Sequence, residues 1–137
     1  MKLIPFIIPL MAVFTSASSV PVEYDTQYDN PKALTDSVTC SGGTNGIETK
    51  GYDTYGNVPA FPHIGGADFI KYDSTSCGSC WKLSYKANSI HVTVIDKAGS
   101  GFTVSGEALK DLGGQEAMDE GKIYASATRV DESNCRS

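Results

Sequence analysis

Asp96 is the residue in this chain whose type and position are best suited to chemistry. It follows the apolar run 90–95 and precedes the glycine-containing segment 97–101. A buried strand ending there would hold the carboxylate rigidly at the solvent boundary, where it can accept hydrogen bonds or exchange a proton. The structural alternative is an Asx turn that only terminates the strand.

Hydrolysis of a glycosidic bond would need a second carboxylate at a set distance from Asp96, about 5 Å for retention and about 6.5 to 9.5 Å for inversion. Four aspartates are available as partners, namely Asp25, Asp53, Asp68 and Asp73. None stands at a sequence spacing that implies pairing. A Ser-His-Asp triad is not indicated either, because the chain has no Gly-x-Ser-x-Gly elbow and its two histidines, His63 and His91, are expected in surface or loop positions.

Tyrosine is the commonest aromatic residue, with seven Tyr against five Phe and one Trp. A tyrosine can stack on the C–H face of a sugar and hydrogen-bond it through the hydroxyl, so this composition favours a carbohydrate ligand over a lipid. We expect the aromatic residues at strand positions to lie in the core, which are Tyr24, Trp81, Tyr85 and Tyr124. We expect those in loops to form the surface set, which are Tyr52, Tyr55, Phe61 and Tyr72.

The four cysteines, Cys40, Cys77, Cys80 and Cys135, indicate two disulfides rather than a metal or redox site. A Cys77–Cys80 bridge would close a ring too small to constrain the fold. A metal site is not predicted, because the single Cys-x-x-Cys pair has no second ligand pair at a suitable spacing. Pairing Cys40 with Cys77 and Cys80 with Cys135 gives two sequential loops and is favoured, while the crossed pairing stays open.

The first 19 residues have the pattern of a secretory signal peptide. Lys2 supplies a positive charge, residues 3–14 are apolar, and residues 15–19 are small. We expect cleavage after Ser19, which leaves a single secreted domain over 20–137. A membrane anchor is the alternative, but the apolar run contains Pro5 and Pro9 and is shorter than the roughly 20 residues that span a bilayer.

The formal net charge of −5 argues against two classes of partner. An acidic chain repels phosphate, so neither nucleic acid nor an anionic membrane surface is expected to bind it. No cofactor is predicted, and we expect a monomer.

Hydrophobic periodicity predicts mainly β-structure. The strand-like segments are 20–24, 81–85, 90–95, 102–104 and 123–130, with shorter β-prone stretches at 38–40 and 47–55. A helix is predicted over 107–112, with Ser105 as its N-cap and Gly113 as its end, then a polar connection over 114–121. A turn of helix is expected over 67–72. Together these elements predict a compact β barrel with accessory helices.

Several motifs in order resemble the cerato-platanin proteins that filamentous fungi secrete. They are CSGGTNGI at 40–47, FPHIGG at 61–66, DSTSCGSCWK at 73–82, Asp96 followed by Gly101-Phe102, a final cysteine, and the opening Val20-x-Val22-x-Tyr24-Asp25. The resemblance covers almost all of residues 20–137. The chain departs from the family pattern at Gly42 and Thr103, where many relatives carry amide or acidic side chains.

The resemblance implies a six-stranded double-ψ β barrel, akin to the expansin catalytic domain and the barwin lectins, with disulfides Cys40–Cys77 and Cys80–Cys135. It also implies an extracellular or cell-wall protein that binds N-acetylglucosamine oligomers, chitin or cellulose, loosens such walls without hydrolysis, and elicits or stimulates a host immune response.

On this chain Asp96 would accept hydrogen bonds from sugar, Asn45 would add polar contacts, and Tyr52 or Phe61 would provide a stacking face. A non-catalytic protein is therefore expected. The alternatives are a weak glycoside hydrolase that uses Asp96 and an immune-recognised allergen surface with no sugar function.

Overall fold

The computed structural model describes residues 19–136, and the predicted signal peptide lies outside this range except for Ser19, which begins the first strand. Six strands close into a barrel in the order β1-β5-β2-β4-β3-β6. Their bounds are β1 Ser19–Tyr24, β2 Ile64–Ala67, β3 Cys80–Tyr85, β4 Asn88–Lys97, β5 Phe102–Val104 and β6 Lys122–Val130. The pairs β1–β5 and β2–β4 are parallel, and the other pairs are antiparallel.

Alternate residues of the strands fill the barrel interior, as a period of two requires. In β1, Val22 is fully buried opposite Phe102 of β5 and Ile123 of β6. The predicted core strands over 81–85, 90–95 and 123–130 are confirmed by β3, β4 and β6. Among the described residues, no helix is both long and apolar enough to cross a membrane.

Strand β2 was not predicted, because its sequence Ile-Gly-Gly-Ala contains no side-chain alternation. The glycines are required by the close approach of neighbouring strands. A Cβ atom on Gly65 would collide with the carbonyl oxygen of Thr103, and one on Gly66 would lie 2.9 Å from the carbonyl oxygen of Asp96. The helical turn expected over 67–72 is wrong, since Ala67 ends β2 and turns follow it.

The β-prone stretches 38–40 and 47–55 do not form strands, so these predictions are wrong. Both stretches lie in turns and short 3-10 segments over 35–63. Their hydrophobic residues resemble those of a strand because they are buried against the barrel, as with Val38, Ile47 and Tyr55. A backbone hydrogen bond from Cys40 N to Ile95 O (3.0 Å) attaches this region to β4, and one from Ile47 N to Cys40 O (2.8 Å) joins two of its own segments.

One helix, α1, spans Gly106–Glu120 and packs on the barrel. Its predicted N-cap is confirmed, since the Ser105 hydroxyl accepts a hydrogen bond from Ala108 N at 3.0 Å. The polar connection predicted after Gly113 is wrong. Gly114 breaks the helix with φ 72°, but the helix resumes because Ala117 is buried against the core and Met118 packs on it.

Two disulfides close loops around the barrel, Cys40–Cys77 and Cys80–Cys135. They span 37 and 55 residues of sequence, and the chain-entropy model assigns about 4 kcal/mol of stabilisation to loops of these lengths. All four disulfide-bonded cysteines are buried, so both bridges are shielded from reductants in the solvent.

Candidate functional site

Asp96 lies one residue before the end of β4, opposite Gly66 of β2. Its side chain is half-buried, between the barrel and the 35–63 region that covers it. The predicted position at the junction of a rigid strand and solvent is therefore correct.

Four donors hold the Asp96 carboxylate. Its Oδ1 accepts hydrogen bonds from Thr39 N (3.0 Å), the Thr39 hydroxyl (3.0 Å) and Lys97 N (2.9 Å), and its Oδ2 accepts one from the Tyr28 hydroxyl (2.7 Å). A carboxylate offers about four acceptor positions. Oδ1 is fully used, while Oδ2 receives only the Tyr28 hydrogen bond from the part of the chain that the structure describes, which leaves one acceptor position for a ligand. Asp96 thus ties β4 to two loops and still presents an acceptor.

Tyr28 and Tyr55 form a neutral phenolic wall beside Asp96. Burial raises the pKa of Tyr28 well above its usual value, and the hydrogen bond to the Asp96 carboxylate raises it further. Burial and the Asp96 charge also raise the pKa of Tyr55. The two rings lie 5.9 Å apart. The expectation that Tyr55 belongs to the surface set is wrong, because only 3% of it is exposed where it packs on Tyr28.

The negative charges of Asp25 and Asp36 also raise the pKa of Tyr55, less than burial and the charge of Asp96 do. The Asp25 carboxylate is occupied at the start of a 3-10 turn, where it accepts hydrogen bonds from Gln27 N and Gln27 Nε2, both at 2.9 Å. The Asp25 carboxylate therefore stabilises the loop that begins there.

Two other candidate partners of Asp96 hold loops elsewhere. Asp68 Oδ2 accepts a hydrogen bond from Gly101 N at 2.9 Å, and Asp73 Oδ1 accepts one from Asn45 N at 2.8 Å. Asn45 also donates its side-chain amide to the carbonyl oxygen of Asp73 at 2.9 Å. Asn45 therefore positions its loop, and its amide oxygen is the group left for a ligand.

Tyr52 and Phe61 each line a separate cavity, of about 200 Å³ and about 430 Å³ respectively. The cavities are neighbours that share Val58 and Cys135 as lining residues. Asp96 and Asn45 line neither of them. The structure does not gather the four predicted residues into one pocket, so a ligand that touches all of them must be extended.

The remaining aromatic residues show where strand periodicity was misread. Tyr124 was expected in the core, yet 60% of it is exposed between buried Ile123 and Ala125, as alternation along β6 requires. Tyr72 was expected on the surface and is 65% exposed. Trp81 packs on the core, with its ring centroid 4.8 Å from that of Phe69.

Neither Tyr28 nor Thr39 was predicted as a partner of Asp96. No local pattern marks Tyr28, and it reaches Asp96 across 68 residues of sequence. For Thr39 the available signal was its position beside Cys40, whose disulfide and backbone bond draw that segment onto β4.

No cluster of three or more potential metal ligands occurs within residues 19–136. His63 is half-buried, and its Nε2 lies 2.7 Å from the Asp111 carboxylate of α1. His91 lines the same cavity as Phe61.

The closed six-stranded sheet and its two disulfides define a small double-ψ β barrel. The chain belongs to the cerato-platanin family, whose family model matches residues 20–137. It is 38% identical over 129 residues to the heat-stable 19 kDa antigen of Coccidioides immitis, covering 93% of this chain and 88% of that protein. It is 42% identical over 122 residues to allergen Asp f 15 of Aspergillus fumigatus, covering 88% of this chain and 80% of that one.

Solved structures agree with this assignment. Cerato-platanin 3 from M. perniciosa superimposes with a TM-score of 0.82 at 40% identity, covering 86% of this chain and 98% of that one. An expansin from Clavibacter michiganensis in complex with cellohexaose gives a TM-score of 0.51 at 16% identity, covering 83% of this chain and 50% of that one. This second likeness shows that the barrel has the expansin-like fold.

Proposed function

We propose that this protein is a secreted, non-catalytic carbohydrate-binding protein whose ligands are N-acetylglucosamine oligomers, as in chitin. The observation that carries the proposal is the Asp96 carboxylate, which is fixed by four donors and half-buried at the rim with one acceptor position on Oδ2 open. A hydroxyl or acetamide N–H of a sugar is a suitable donor for that position.

The other proposed contacts extend from Asp96 along the 35–63 region. Tyr52 and Phe61 are half-buried, so each offers part of a ring face for stacking on a sugar. Asn45 offers its amide oxygen while its N–H groups hold the loop. Because the two rings line separate cavities, an oligomer would contact more of this surface than a single sugar.

Binding of this kind can loosen a polysaccharide without cleaving it. Hydrogen bonds from sugar hydroxyls to the protein replace those between neighbouring polysaccharide chains, and no bond to the anomeric carbon breaks. Hydrolysis would require a proton donor and a second carboxylate acting together. The four donors around Asp96 suit it to act as an acceptor and not as the proton donor, and Asp25, engaged by Gln27, is not free to act as its partner.

A second proposed role is recognition by a host immune system. The names of two relatives, a heat-stable antigen and an allergen, support it. A barrel closed by two buried disulfides would persist outside the cell long enough to meet host receptors or antibodies. We place the protein in the extracellular space or the fungal wall, as a monomer.

Calorimetric titration of the purified, disulfide-bonded protein with N-acetylglucosamine tetramer and hexamer tests the first role. A parallel assay should measure reducing ends released from the same oligomers and from chitin and cellulose. The proposal expects saturable binding, stronger for the hexamer, with no release above the buffer control. Release of reducing ends would instead support the weak hydrolase, and absence of binding would leave the immune-recognised surface.

A further inference from the structure

The cavity lined by Tyr52 combines an apolar interior with two cationic side chains. Apolar and aromatic side chains line it together with two cationic residues, Lys50 and Arg136, and one acidic residue, Glu132. Cationic residues are the minority in this chain, 11 Lys and Arg against 16 Asp and Glu. Two of them against one acidic side chain leave a net positive charge at this small cavity, which favours an anionic ligand.

Lys50 is held at this cavity by the backbone. Its Nζ donates to the carbonyl oxygen of Cys77 at 3.2 Å, and Gly78 leaves the space that the ammonium occupies, because a Cβ there would lie 2.8 Å from Nζ. An ammonium group carries three N–H donors. One is used by Cys77, so two remain for a ligand.

Arg136 is brought to the same cavity by the disulfide between Cys80 and Cys135, which fastens the last 3-10 turn, Glu132–Cys135, to β3. Its guanidinium faces Glu132 at 3.8 Å, which is beyond hydrogen-bonding distance. Both side chains are about half exposed. Within residues 19–136 the guanidinium has this loose ion pair with Glu132 and no side-chain hydrogen bond, so its planar donor fork can bind a carboxylate through two parallel hydrogen bonds.

The volume of the cavity limits the ligand to about one ring. A dry protein cavity of about 150 Å³ accommodates benzene, and this cavity measures about 200 Å³. The ring would pack on Tyr52 and the aliphatic residues, and its acidic substituent would face Lys50 and Arg136.

We propose that the Tyr52 cavity binds a six-membered ring that carries one carboxylate. This chemistry is that of a uronic acid unit within a polysaccharide or of a free aromatic carboxylate. The inference deepens the proposed sugar-binding function and rests on it through Tyr52, which would contact both kinds of ligand. The Tyr52 cavity, which Asp96 does not line, would thus select acidic sugars over neutral ones.

Amide chemical shifts of the isotope-labelled, disulfide-bonded protein test the proposal. The probes are glucuronate, its neutral analogue glucose, and benzoate, each titrated at low and high salt. We expect an acid to shift the amides of Ile47, Gly78 and Cys135 and to bind about five-fold more tightly than the neutral sugar, with the difference reduced by salt. Shift changes with glucuronate would identify the ligand as a uronic acid unit of a polysaccharide. Shift changes with benzoate alone would identify it as a free aromatic carboxylate.

Three variants examine the charges. The pair Lys50→Gln with Arg136→Gln should remove the preference for the acid, and Glu132→Gln should tighten acid binding by a few-fold, because it removes a repelling charge. Lys110→Gln, at an exposed position of α1, is the matched control and should leave the preference unchanged.

Equal binding of acid and neutral sugar by the wild-type protein would overturn the inference, as would an undiminished acid preference in the double variant. Titration of the double variant with N-acetylglucosamine hexamer separates this inference from the proposed function. Suppose that the hexamer binds the wild-type protein and the double variant equally well, but the wild type shows no preference for the acid. The carboxylate site is then rejected, and the proposed binding of N-acetylglucosamine oligomers is not affected. If the hexamer binds neither protein while glucuronate binds the wild type, the chitin proposal fails and the acidic site stands.

Discussion

The Tyr28 hydroxyl lies 2.7 Å from Asp96 Oδ2, although the two residues are 68 positions apart in sequence. This hydrogen bond joins the first loop after β1 to the end of β4 and orients the carboxylate so that Oδ2 keeps one open acceptor position. The phenol is buried and protonated, which makes it a permanent donor to the carboxylate.

Replacing Tyr28 with phenylalanine should destabilise the fold while keeping the ring in place. Hydrogen bonds to a charged group contribute about 1.5 to 3 kcal/mol, so we expect Tyr28→Phe to lower the free energy of unfolding by about that amount. Urea denaturation measures it. Tyr24→Phe is the control, with an expected change below about 0.5 kcal/mol; equal losses in the two variants would contradict the role of the hydrogen bond.

Alkaline pH should destabilise the protein through the same phenols. Because the folded-state pKa values of Tyr28 and Tyr55 are raised, their contribution is fully present below the unfolded tyrosine pKa of about 10 and is lost as pH rises above it. Tyr28, with the larger shift, should add about 1.4 kcal/mol per pH unit to the loss above that pH. Denaturation between pH 9 and pH 11 should show a shallower decline for Tyr28→Phe than for the wild type, and parallel curves would refute the assignment.

Asp29 should stabilise α1 from outside the helix. Its carboxylate accepts hydrogen bonds from Gly106 N at 2.8 Å and Glu107 N at 3.0 Å, at the positive end of the helix dipole. We expect Asp29→Ala to cost about 1 to 2 kcal/mol in thermal or urea unfolding. Asp119→Ala, near the other end of α1, should change stability by less than about 0.5 kcal/mol; a similar cost for both would count against capping by Asp29.

Glycine at position 65 should be required for the barrel to close. Gly65→Ala places a Cβ against the Thr103 carbonyl oxygen across the β2–β5 pairing, and we expect a loss of about 3 kcal/mol or more. Gly99→Ala is the matched control because no atom lies within 4 Å of its Cβ position. Calorimetric unfolding of both variants distinguishes them, and a stable Gly65→Ala protein would show that the strands can separate at this point.

The sequence was informative wherever a residue's role follows from its immediate neighbours. The strands with alternating side chains, the Ser105 cap and the placement of Asp96 at the end of β4 were all predictable in this way. Strand β2 was not, because its two glycines are explained only by backbone atoms of Thr103 and Asp96 that approach them in the folded barrel.

The hydrogen-bond partners of Asp96 could not be predicted from the sequence either, because Tyr28 and Thr39 lie in loops distant from it along the chain. Buried loops also mimic strands in composition, which is why 47–55 was misassigned. Tyr52 and Phe61 are partly exposed, as expected of aromatic residues in loops. Their division between two cavities depends on the path of the 35–63 region and on the disulfide that fixes Cys135.

The central claim, that the open position on Asp96 Oδ2 accepts a hydrogen bond from sugar, is tested most directly by calorimetric titration of Asp96→Asn with N-acetylglucosamine hexamer. Asparagine can keep the acceptor that serves Thr39 and Lys97 but replaces Oδ2 with a donor. We expect binding at least about ten-fold weaker than wild type, equivalent to about 1.4 kcal/mol, in a variant that remains folded, and wild-type affinity for Asp119→Asn, an exposed carboxylate of α1. Wild-type affinity in folded Asp96→Asn would contradict it.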